Sequence, residues 1–140
     1  NYTSFIATDN YGAGCVGARR LAELIGKRGK VGVVMHKPGG TSTLLRERGF
    51  EDTIQKDFLA VTIAAKQFGM SDPARSLAAA ENILTAQSDL AGIFASSEPS
   101  SLGAIQAIVR CVEVADQRPG ERSSQDPNED IATAVAVDEE

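Results

Sequence analysis

The sequence predicts a three-layer α/β/α domain built on a mainly parallel sheet. Two observations carry this expectation. Apolar runs at residues 4–8, 31–35, 59–65 and 91–95 alternate with four segments whose apolar residues recur at helical spacing. The helical segments are long enough to cross over a sheet and return, which aligns successive strands in parallel and covers both sheet faces. A sheet of about five strands is a common size for such a domain, and residues 131–137 would supply the fifth.

In chain order, residues 4–8 form a short strand, and Asp9 or Asn10 can cap the helix that follows. Gly14, Gly17, Ala18, Leu21 and Ile25 make that helix's buried stripe, with Arg19, Arg20 and Glu23 off it. Gly26 and Gly29 end it. The second strand spans 31–35. A Pro-Gly-Gly turn and a Thr41/Ser42 cap then lead into a helix with Leu45, Gly49, Phe50 and Ile54 inside. The third strand spans 59–65. Asp72 caps the third helix with Pro73 at its first position, and Leu77, Ala80 and Leu84 form its stripe. After the strand at 91–95, Glu98-Pro99 opens a fourth helix with Leu102, Ile105 and Val109 facing inward. Residues 117–130 are polar, contain Pro and Gly and lack periodicity, so they read as a long loop or link. The organisation expected is a lobe over 1–112, a polar link over 113–130, and an extra strand with an acidic terminus over 131–140.

Composition narrows the function classes. At 140 residues, with 42% hydrophobic content, the chain can bury one core. A net charge of −5 leaves no electrostatic footprint for nucleic acid. No apolar run is long enough to cross a bilayer as a helix. Cys15 and Cys111 are too few for a disulfide framework or a zinc site; they read as buried free thiols, with a disulfide between them as the alternative.

The stretch from His36 to Phe50 organises the chain: a strand end, a glycine turn and the start of a helix. Loops at the carboxyl ends of strands are where open α/β sheets bind ligands. Arg46 sits in the early turns of that helix, where the macrodipole disfavours a cation, so it is a candidate for a task other than helix support. His36, the one histidine, reads as a polar strand-end residue, because no second metal ligand is near it in sequence. Gly12, Gly14 and Gly17 fit G-x-G-x-x-G. The match lacks an acid at the end of the second strand, and its glycines coincide with the helix packing stripe, so packing is the simpler reading. No cofactor is expected, and no nucleophile elbow or zinc-protease pattern occurs.

Several pieces together resemble the second lobe of type 1 periplasmic binding proteins, in particular the ribose-binding type of sugar receptor. They are T-D-N at 8–10, G-K-V-G-V-V at 29–34, R-E-R-G-F at 46–50, S-D-P-A-R at 71–75, N-I-L at 82–84 and the run from Gly92 to Ile108. The resemblance implies that Arg46 holds sugar hydroxyls, a task suited to a planar guanidinium fork. It further implies cleft positions at Ser71, where relatives often carry an aromatic, and at Ser97 with Glu98 beside it. Val135 to Asp138 would match a strand whose terminal aspartate accepts sugar hydroxyls.

By the same resemblance the protein is a solute receptor of an ABC sugar importer rather than an enzyme. It would be periplasmic, with a small carbohydrate and the importer's membrane subunits as partners. Residues 1–9 look like a crossing into the lobe, and the companion lobe of such receptors is expected upstream. A single lobe with open edges is expected to self-associate, most simply as a twofold homodimer. Two alternatives share parts of the pattern. One is the effector lobe of a ribose-receptor-like transcription repressor. The other is a nucleotide-dependent oxidoreductase using Gly12, Gly14 and Gly17.

Overall fold

The computed structural model describes Ser4, residues 6–116 and residues 132–135. Among these described residues four helices and four strands follow in the order α1 (Asn10–Leu24), β1 (Gly29–Met35), α2 (Thr41–Asp57), β2 (Val61–Phe68), α3 (Pro73–Ala86), β3 (Leu90–Ala95), α4 (Glu98–Asp116) and β4 (Ala132–Val135). The strands form one sheet in the order β2-β1-β3-β4, and every pairing is parallel. The three-layer α/β/α expectation therefore holds.

Strand alternation divides the core in two. Val31 and Val33 of β1 point to one face, where they meet Ala18 and Leu21 of α1 and Phe50 and Ile54 of α2. Val34 points to the other, among Ala80 and Ile83 of α3 and Ala104 and Ile108 of α4. On the first face Phe50 stacks on Phe94 of β3, with ring centroids 4.0 Å apart. Aromatic stacking adds to simple area burial.

The helix starts follow local chemistry. The Asp9 carboxylate accepts from Gly12 N at 2.9 Å, and that of Asp72 from Arg75 N at 2.8 Å, each filling a donor the helix leaves open. Pro73 occupies the first turn of α3. The start of α2 differs from expectation. Gly40 is the capping residue, with no side-chain cap, while Thr41 and Ser42 are already helical.

Three further expectations are corrected. Ser4 and Ile6–Thr8 form no strand, and Phe5 lies outside the described residues. Ile6 is 94% exposed, and among the described residues no strand edge pairs with it. The backbone and side-chain amides of Asn10 both donate to Thr8 O instead, a local turn. The strand expected at 59–65 starts at Val61 and runs to Phe68, leaving Leu59 in the preceding turn and exposed. In α4, Leu102, Ile105 and Val109 are exposed, and Ser100, Ser101, Gly103, Ala104, Ala107 and Ile108 are inside. A Cβ on Gly103 would collide with the backbone at Leu77 of α3. Close approach of the two helices selects small side chains on the contact face and turns the large ones outward.

Of the tail, residues 132–135 add to the chain's own sheet beside β3. Residues 117–131 and 136–140, including Asp138, lie outside the described residues.

Candidate functional site

Helix α2 follows β1 on one face of the sheet and α4 follows β3 on the other, so the neighbouring strands β1 and β3 part their loops at their carboxyl ends. Such a switch point opens a crevice in open α/β sheets. His36 follows β1, Ser96 and Ser97 follow β3, and Gly69 to Ser71 follow β2. Arg46 reaches the same place from the second turn of α2.

The geometry there is tightly bonded. Arg46 is half-buried; its Nε donates to Asn10 Oδ1 at 2.8 Å and its Nη1 to the Ser96 carbonyl at 3.3 Å. His36 Nδ1 and Ser97 Oγ are 2.9 Å apart, and Ser97 Oγ and Ser100 Oγ 3.0 Å apart. Beneath them Glu47, only 6% exposed, accepts from His36 N at 3.0 Å and from Ser96 Oγ at 2.7 Å through the same oxygen. A carboxylate so far from water needs such donors to offset its lost hydration.

The loop after β2 is fastened to the same point, with Gly69 N bonded to Met35 O and Ser71 N to His36 O. It carries Met70 and Ser71 at φ 57° and 62°, left-handed conformations that cost a non-glycine residue free energy. Backbone of this kind persists where surrounding structure over-determines it, often at functional sites.

Of the residues singled out from sequence, Arg46, Ser71 and Ser97 thus lie along one edge of the sheet. Ser71 is exposed, whereas Ser97 is only 8% exposed and does not face open solvent. Glu98 is exposed in the first turn of α4, where its charge suits the helix N-terminus. Three residues of the crevice were not singled out: Asn10, Ser96 and Glu47. Asn10 was readable only as a cap candidate within T-D-N, and Glu47 as one acid among several in a polar helix. Their roles depend on partners 11 to 50 residues away.

Gly12, Gly14 and Gly17 lie inside α1 rather than in a strand-to-helix turn. A Cβ on Gly14 would overlap the Arg46 carbonyl, and one on Gly49 the Tyr11 carbonyl, so these glycines let α1 and α2 cross in contact. Among the described residues no cluster of His, Cys, Asp and Glu could hold a metal ion, and no helix is long and apolar enough to cross a membrane. Cys15 and Cys111 are free and half-buried. A hollow of about 460 Å³ opens between α2 and the edge strand β2, lined by Leu44, Glu47, Arg48, Lys66 and Phe68 among others.

A doubly wound lobe with a polar crevice at its switch point defines a class, the ligand-binding α/β lobe. Comparison with known proteins narrows the class: residues 1–115 match the periplasmic binding protein domain, and the chain belongs to that family. It is 31% identical over 105 residues to the ribose import binding protein of Bacillus subtilis, covering 75% of this chain and 33% of that protein. With the Haemophilus influenzae ribose import binding protein it shares 33% identity over 110 residues, covering 77% and 36%. Among solved structures it superposes on an arabinose-binding protein from Geobacillus stearothermophilus at TM-score 0.75 and 32% identity, over 79% of this chain and 38% of that one. A solute-binding protein from Actinobacillus succinogenes with bound D-allose gives TM-score 0.75 at 28% identity, over 80% and 39%. The chain spans about a third of the length of the curated relatives it matches. The family is one of transport receptors rather than of enzymes.

Proposed function

We propose that this lobe forms one wall of a sugar site in a solute receptor that delivers a small carbohydrate to an ABC importer, with a second lobe supplying the facing wall. The observation that carries the reading is Arg46, set at the switch point by Asn10 and the Ser96 carbonyl. A guanidinium's donors lie in one plane and suit neighbouring hydroxyls. Ser97 and Ser71 add hydroxyls that can donate or accept, as a sugar requires. Glu98 and Asp138 complete the proposed set as acceptors. Relatives named for ribose, allose and arabinose support a pentose or hexose ligand. Binding, not catalysis, is the activity in this reading, and the periplasm is its compartment. The repressor and oxidoreductase alternatives gain no support from the comparisons, and Gly14 is filled by α2.

The test is calorimetry of the full-length protein with D-ribose, D-allose and L-arabinose. Arg46→Ala is expected to cost roughly 1.5–3 kcal/mol of binding, the range for a charge-assisted hydrogen bond, or about ten- to 150-fold in affinity. Unchanged affinity would remove Arg46 from the site.

A further inference from the structure

We propose that Glu47 is a positioning residue: its buried carboxylate latches the two strand ends of the crevice and thereby sets the aim of Arg46 and Ser97. The functional purpose of the latch rests on the sugar-binding reading above.

One oxygen of Glu47 accepts from both His36 N and Ser96 Oγ. His36 ends β1 and Ser96 ends β3, so a single acceptor ties together the two strands that flank the switch point. Each donor is then held a second time by a group of the crevice. The Ser96 carbonyl accepts from Arg46 Nη1, so consecutive residues of α2 grip the two ends of one fully buried serine. The His36 ring meets Ser97 Oγ, so the backbone of His36 is fixed by Glu47 and its imidazole bears on the site hydroxyl. Turning the Ser96 carbonyl would move Arg46, and shifting His36 would move Ser97. A buried acid is a poor choice for stability alone, because an apolar residue of similar volume often serves as well or better. Hydrogen-bond acceptance toward two fixed donors is what an apolar residue could not supply.

The experiment reads solvent exchange of the Arg46 Nε–H by NMR, in the sugar-free 140-residue chain. That proton is bonded to Asn10 Oδ1 and reports how firmly the guanidinium is held. Glu47→Ala and Ser96→Ala are expected to speed its exchange at least tenfold. Glu47→Gln should stay within twofold of the parent, because an amide oxygen can accept the same two bonds. Glu51→Gln, which breaks the exposed pair with Lys66 one turn along, should leave it unchanged. If Glu47→Ala does not fold, Ser96→Ala decides, since it removes one hydroxyl only. Unchanged exchange in folded Ser96→Ala, or loss in Glu47→Gln equal to that in Glu47→Ala, overturns the latch. D-Ribose calorimetry on the full-length protein is read separately. An Arg46 signal that loosens as expected in a protein that binds no sugar supports the latch and rejects the sugar reading.

Discussion

Replacing Gly14 by alanine tests how α1 and α2 jointly build the crevice. The added Cβ would fall on the Arg46 carbonyl oxygen and 2.9 Å from Phe50 N. Both obstacles are helix backbone and cannot rotate aside, so the two helices must part by about 1 Å for a methyl group to fit at native packing density. Overpacking of this kind costs about 1–3 kcal/mol, and backbone obstacles argue for the upper end. Alanine returns about 1 kcal/mol through helix propensity. The net expectation is a loss of about 2 kcal/mol, which lowers the melting temperature by roughly 4–8 °C in a domain of this size. Thermal unfolding followed by circular dichroism measures it. Ala78→Gly, at an exposed position of α3, calibrates the propensity term alone and should cost about 1 kcal/mol. Because the obstructed carbonyl belongs to Arg46, Gly14→Ala should also weaken the Arg46 bond to Asn10. A Gly14→Ala protein as stable as the parent would refute the close crossing of α1 and α2.

Other outcomes follow from the same structure. Tyr11 donates to Asp52 at 3.0 Å, and that hydrogen bond, with smaller contributions from desolvation and the Asp52 charge, holds its phenol above the ordinary 10.0. The bond's stabilisation should therefore be complete below pH 10 and fade as pH rises through the elevated folded value. Ultraviolet titration in a Tyr2→Phe background should show the midpoint returning toward 10 in Asp52→Asn. Ser71→Gly should stabilise the fold by about 1 kcal/mol by relieving a left-handed backbone, measured by urea unfolding, while removing a hydroxyl from the crevice edge. The exposed apolar stripe of Leu102, Ile105, Val109 and Val112 on α4 should drive concentration-dependent self-association of the 140-residue chain. Sedimentation of Ile105→Lys beside the parent tests this, with an identical monomer at all concentrations as the contrary result.

What the sequence alone determined is local. Asp9 and Asp72 cap their helices, Pro73 opens α3, and Gly14 and Gly17 mark a buried stripe, because capping bonds and helical spacing act over three or four residues. Strand–helix alternation likewise determined the parallel class. Arg46 stood out as a candidate because a cation early in a helix runs against the dipole, and because R-E-R-G-F resembles an element of the sugar receptors. Tertiary structure alone decided which face of α4 is buried. Leu102, Ile105 and Val109 carry the stronger apolar signal, yet close packing at Gly103 favours the small residues. It also left residues 6–8 without a strand, since a strand exists only where a neighbour's edge accepts its ladder. Above all it placed Glu47 between His36 and Ser96, residues 11 and 49 positions away. A glutamate in a polar helix looks the same in sequence whether it faces water or a buried junction. Only the folding of β1 beside β3 brings the two donors together and gives that carboxylate its place.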